Sequence, residues 1–501
     1  MIRKSLIGWS LVFLACLFAS CEGESLFTHN GKEEADSLSL NNSYVNKWIY
    51  NGMSLAYYWS DKMIEPEDYT QSPISFFNDL LYRYHPTTAP DGDRFSFIRS
   101  DYANLLNTFS GLRSREIGFD YQLYLRSEND KAIVGQVTYV KPNTPAVDAG
   151  VQRGWWFDQV GGIALNTDNY TDLLKNLPAE ITLRFLNRAP QQTPENFEAY
   201  LNAMHVDTLT FAVLEKYAEN PNYLDTVYQI GNKKIAYFLY NFFAFGPEDK
   251  SDRFLLETNE IFGRFKALDV DELVLDLRYN SGGYVMMSTY LSSMILPALS
   301  RDKVFCYFRY NDYLQAFYNK QYGEDYFLMH FKENFFPTGS SLAVLLNNLN
   351  LGRLIVLTGE YTASASEQLI NGLKAYMPVI LIGKTTYGKN VSSLSIYEQN
   401  NPKNRWGMQP IVAKVFNSLG ESDYTTGFEP DIELTELSVY DQSALGDTSE
   451  LLLNAAISLI LNRSVATRRS ARKEIQTPVF IPDETKIKGS LLPAEPDLNE
   501  R

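Results

Sequence analysis

Three changes of pattern along the chain predict an α+β protein of several domains, with a helical N-terminal unit, a small β unit and an α/β core. Over residues 44–112 apolar positions recur at steps of three and four; from Glu116 short β runs take over; from Ile235 to Leu461 apolar strands alternate with amphipathic helices. At 501 residues the chain exceeds one ordinary core, which again points to several units. With 45% apolar and 21% charged residues the composition is that of a folded protein. The net charge of -15 repels phosphate backbones and argues against a nucleic-acid partner.

Arg3 and Lys4 precede a run over residues 6–18 that is apolar apart from Ser10. The pattern is that of a signal peptide, because about thirteen helical residues rise only about 20 Å, short of a hydrocarbon core of roughly 30 Å. Residues 18–21, FASC, resemble a bacterial lipobox, which makes 1–21 the leader and Cys21 the acylated first residue of an exported, envelope-anchored protein. The alternative is ordinary cleavage near Ala19, with Cys21 a stray thiol. Residues 22–43 are polar and read as a tether, with structure starting near Tyr44. The remaining cysteines are Cys16 and Cys306, so no internal disulfide is expected. His29, His85, His205 and His330 show no metal spacing, which argues against a metalloprotease; neither a metal nor a cofactor is expected.

In the helical unit, Val45, Trp48, Ile49, Met53 and Tyr57, then Phe76, Phe77, Leu80 and Leu81, mark buried faces, with Pro66 and Pro73 as breaks. Residues 113–218 form the β unit. There, IGFD at 117–120 and TPAVDAGVQRG at 144–154 resemble the carboxylate-binding loop and following turn of a PDZ domain. The resemblance implies that Ile117, Gly118, Phe119 and Asp120 receive a peptide's terminal carboxylate while the peptide adds as an edge strand. Trp155 stands where that family has an acidic residue, which would alter the surface or its docking on the next domain. Residues 219–462 form the core, in which a Tyr- and Phe-rich stretch over 310–340 reads as a helical insertion; 463–501 read as a flexible tail.

A hydrolase working through a nucleophile needs an activated hydroxyl, a base and donors for an oxyanion. TASASE at 362–367 starts just after a buried strand and opens a helix. Ser364 there is either the cap of a capping box with Glu367 or a nucleophile beside a helix N-terminus. Lys389, in GKTTYGKN at 383–390, follows 25 positions later, a helix and a strand further on, at the same edge of the sheet. A buried Lys is pushed toward its neutral form and can take a proton from Ser without any His.

Together with DLRYNSGG at 276–283, these segments resemble the signature of C-terminal processing (tail-specific) serine proteases. The resemblance implies a peptidase core of the ClpP/crotonase-like type with Ser364, rather than Ser366, as nucleophile and Lys389 as base. It also implies an oxyanion hole of the Gly282 and Ala365 N–H groups, with Gly283 as the fallback. Substrates would be proteins or peptides with free C-termini, cut near those ends. Ser393 stands where relatives have a Gln that orients the Lys, and Ala375 where some have an Asp. Two rival readings remain: a degenerate peptide- or ligand-binding protein, and an acyl-CoA enzyme on a similar fold, against which the leader counts.

Overall fold

Five parallel strands form the centre of the core domain: Lys233–Tyr240, Glu272–Asp276, Leu354–Thr358, Val379–Gly383 and Ile432–Glu433, in that spatial order, with Asn222–Ile230 antiparallel at one edge. Both faces of such a sheet must be covered, so its strand interiors are apolar, with polar residues kept to their ends. Ala236, Phe238, Leu273, Leu275, Leu354 and Val356 face the helices Arg253–Ala267, Val285–Ile295 and Ala365–Lys374. The alternate residues Ile235, Tyr237, Val274, Ile355 and Leu357 pack on the helix Leu451–Ile460. A computed structural model describes residues 31–109, 112–127, 130–188, 196–247, 251–436, 442–464 and 480–481.

A second sheet fixes the segment after Lys389: Leu328–His330, Val304–Tyr310, Ile411–Asn417 and Val391–Ser393 are neighbours in that order. The 310–340 insertion is helical only over Asp312–Tyr322, capped by Asn311, with a 3-10 turn at Glu324–Phe327; it then turns into short strands. Its aromatic side chains stack along that first half, Tyr318 on Tyr322 and Tyr322 on Tyr326 among them, and β pairing with Val304–Tyr310 claims Leu328–His330 in the second.

The N-terminal unit contains the helices Gly31–Ala56, Pro73–Asp79 and Tyr102–Phe109. The first begins at Gly31, inside the segment read as a tether. Lys, Glu, Ala and Leu after Gly31 are strong helix formers, and they extend upstream the helix whose Val45, Ile49 and Met53 face is packed. That face shares its core with Val391, Met408 and Ile411, and Phe97–Arg99 pairs with Gly407–Gln409. The helical unit is thereby built into the core domain beside the strand that follows Lys389.

The β unit is a sheet ordered Phe480–Ile481, Phe119–Leu125, Ile133–Val140, Trp156–Val160, Glu180–Arg188 and His205–Ala212. Its first strand comes from the tail expected to be flexible. Trp155 packs on Phe185 inside this unit, with ring centroids 5.6 Å apart, and Trp156 is buried against Tyr124 and Phe197. The substituted position therefore serves the unit's own core and not the docking surface that the sequence suggested.

Candidate active site

The strand Leu354–Thr358 ends in a turn tied to the 276–283 loop at three points. Thr362 Oγ1 donates to the Leu277 carbonyl (2.7 Å), the Ala363 N–H to the Asn280 carbonyl (3.2 Å), and Ser366 Oγ to that same carbonyl (3.0 Å). Ser366 is fully buried, whereas Ser364 is half-buried and stands at φ 55°, ψ −113°, a backbone conformation strained for any residue but glycine. A sharp strand-to-helix turn of this kind holds a hydroxyl out at the head of a helix. The helix Ala365–Lys374 follows at once, and the Ala365 N–H belongs to its first turn, which has no intrahelical acceptor.

Lys389 lies in the loop between Val379–Gly383 and Val391–Ser393, with only 5% of its surface exposed. Burial pushes its ammonium down to about 8, against the opposing pull of Asp93 and Glu367. Its amine sits 5.5 Å from the centre of the Phe95 ring. Arg94 Nη2 donates to the carbonyls of Gly388 (2.6 Å) and Thr425 (2.7 Å), so the N-terminal unit grips the lysine loop.

Glu367 joins the two segments. Its Oε2 accepts from the Ser364 N–H (2.9 Å) and the Lys389 N–H (2.7 Å); its Oε1 accepts from the Gly388 N–H and Thr386 Oγ1, each at 2.6 Å. The backbone nitrogens of Ser364 and Lys389 can be no further apart than those two bonds laid end to end. Burial raises the Glu367 carboxyl, with its four donors pulling the other way. Among the described residues no hydrogen bond joins the Ser364 hydroxyl directly to the Lys389 amine.

The 276–283 loop closes the site. Gly282 (φ +111°) and Gly283 (φ +138°) admit no side chain: a Cβ at 282 would lie 2.7 Å from Ser364 Cβ, and one at 283 would lie 2.2 Å from the Phe243 carbonyl oxygen. The Gly282 N–H does not face an incoming oxyanion, contrary to the sequence expectation, because it donates to Asn280 Oδ1 at 2.9 Å. The Gly283 N–H has no acceptor among the described residues, which leaves Gly283 and Ala365 as the donors beside Ser364. Asn280 itself is pinned by Nδ2 to the Tyr240 carbonyl (2.8 Å).

Three contributors were not identified from sequence. Glu367 was visible only as half of a capping box, and Asn280 only as one member of the 276–283 signature; the Arg94–Phe95 pair carried no local signal. Ser393 does not reach the lysine, since its Oγ accepts from Gln409 Nε2 (3.0 Å); Glu367 and Arg94 hold the loop instead. In the β unit, the glycine of the loop expected to bind a carboxylate already has an acceptor: the Gly118 N–H donates to Glu116 Oε1 (2.9 Å). Ile117 is buried in the unit's core. Cys21 lies outside the described residues. Among those residues no group of three His, Cys, Asp or Glu side chains could hold a metal, and no helix is long and apolar enough to cross a membrane.

A strained serine at a helix head, a buried lysine on the adjacent loop and free N–H donors beside them define the class of hydrolase that works through a serine nucleophile. Residues 235–434 match Peptidase family S41 and residues 44–97 match the Peptidase S41 N-terminal domain; the chain belongs to this family of serine peptidases. Among solved structures it is similar to a Bacteroides fragilis protein assigned to the S41 proteases, at 27% identity and a TM-score of 0.64, covering 83% of this chain and 97% of that one. The photosystem II D1 C-terminal processing protease is more distant, at 17% identity and a TM-score of 0.43 over 80% of this chain and 95% of that one. No curated protein sequence matches the chain.

Proposed function

We propose that the protein is an exported serine endopeptidase in which Ser364 is the nucleophile and Lys389 the general base. The Lys389 amine, in the neutral form that burial makes accessible, takes the Ser364 proton as the oxygen attacks a peptide carbonyl. The tetrahedral oxyanion is held by the N–H groups of Gly283 and Ala365. The Lys389 ammonium then protonates the departing amine as the C–N bond breaks. Water, deprotonated by Lys389, attacks the ester, releases the acid and returns the proton to Ser364. The observation that carries this reading is the pair of bonds from the Ser364 and Lys389 N–H groups to one oxygen of Glu367, which ties nucleophile and base into a single unit.

Export rests on the leader over residues 1–21, with acylation at Cys21 anchoring the protein to the bacterial envelope. Cleavage near substrate C-termini would call for a loop that receives a carboxylate, and Glu116 already takes the Gly118 N–H. Extended segments of unfolded protein are therefore the substrates this reading favours. Purified Ser364→Ala and Lys389→Ala proteins should each lose cleavage of an unstructured protein by at least about a thousandfold while keeping the wild-type circular dichroism spectrum. Wild-type turnover by either one would refute the assignment.

A further inference from the structure

The strand Phe119–Leu125 has two neighbours. One is Ile133–Val140; the other is Phe480–Ile481, antiparallel, with Phe480 opposite Tyr124 and Ile481 opposite Leu123. The added strand runs toward the 117–120 loop, the direction a peptide takes when it extends a sheet at this edge. It is nonetheless an internal segment: Ile481 is followed by Pro482, which has no N–H to give to a ladder.

The loop ahead of the strand is closed to a terminal carboxylate. Glu116 Oε1 holds the Gly118 N–H, and Glu116 Oε2 lies 2.6 Å from Lys141 Nζ, which also meets Glu219 Oε2 at 3.4 Å. The three side chains are only 3–5% exposed. Glu219 in turn accepts from Tyr139 and Asn241, which knits the plug into the core domain. A peptide carboxylate would bring a third negative charge to a lysine that already faces two, and would have to evict a buried glutamate from its donor.

We propose that this sheet edge binds internal, extended segments without reading a free C-terminus, and that the chain's own segment at Phe480–Ile481 is its resident occupant. A substrate segment then docks by displacing that strand. The role of the edge in delivering substrate rests on the peptidase reading above; its binding preference does not.

The test measures binding alone, in the full chain carrying Ser364→Ala so that no probe is cut. A fluorescein-labelled peptide of residues 475–485 is made as the free acid and as the C-terminal amide. Each form is titrated against this protein and against one that also carries Phe480→Pro and Ile481→Pro, which remove the N–H donors of the resident strand. The two forms should bind within about twofold of each other, and the proline pair should tighten both by about tenfold or more. Amide exchange at the one of Leu123 and Tyr124 whose N–H faces the added strand should quicken in the proline pair, showing that the edge has been vacated. The proposal is overturned if the acid binds about tenfold tighter than the amide, if the proline pair leaves affinity unchanged, or if neither protein binds either form. Loss of peptidase activity in other assays would leave these titrations unaffected, so the two readings fail separately.

Discussion

Ser364 holds a backbone conformation that costs roughly 1–3 kcal/mol in a residue with a side chain, and it stays there because its neighbours leave no alternative. Thr362, Ala363 and Ser366 are all bonded to the 276–283 loop, and the Ser364 N–H is bonded to Glu367. Glu367 is the residue on which the constellation turns. Replacing it with Ala would leave two loop N–H groups, the Ser364 N–H and the Thr386 hydroxyl without their acceptor in a buried site. Glu367→Ala should therefore lose roughly 3–5 kcal/mol of stability in urea unfolding. It should also lower kcat much more than it raises KM, since it disturbs the placement of Ser364 and Lys389 and not the sheet edge of the β unit. A change confined to KM would show that Glu367 acts elsewhere.

At the scale of elements, the periodic segments were legible and the singular ones were not. The strands Lys233–Tyr240 and Leu354–Thr358 announce themselves as continuous apolar runs because both faces of a parallel sheet are covered. The helix Arg253–Ala267 shows its buried face at steps of three and four. Ser364 and Lys389 could be paired in sequence because the intervening helix and strand return the chain to the same sheet edge. The loop at Gly282 was legible as a close approach, but not which N–H it spends on Asn280, since that depends on one side-chain torsion. Arg94 meets Gly388 across 294 positions, and no periodicity marks such a contact. The same holds for Phe480–Ile481, whose two residues are too few to show a strand pattern, and for Glu116, which looks like any charged residue until Lys141 and Gly118 surround it.

Across the whole molecule, the β unit is fastened to the 276–283 loop by a buried charge network. Arg153 of the β unit pairs with Glu436 (2.6 Å) and donates to the Tyr279 hydroxyl and to the carbonyls of Thr138 and Ser443. Arg278 meets Asp276 (2.8 Å), Glu436 (2.9 Å) and Glu450 (2.8 Å), the last of which caps the helix Leu451–Ile460. Burial alone would raise the Glu450 carboxyl, but Arg278 outweighs it and holds it at about 2. Arg278 and Tyr279 belong to the same loop as Gly282 and Gly283, so this network joins the β unit to the loop beside Ser364. Arg153→Ala should cost about 3 kcal/mol, read as a lower Tm, and slow turnover as well. An unchanged Tm and kcat would mean that the β unit rides on the core without coupling to it.

The central claim is that a neutral lysine activates Ser364, and the pH dependence of kcat/KM tests it most directly. The Lys389 amine must be unprotonated to accept the proton, so activity should climb about tenfold per pH unit below about 8 and level off above it. A midpoint near 6.5, as an ordinary histidine base would give, or a flat profile between about pH 6 and 9, would contradict it.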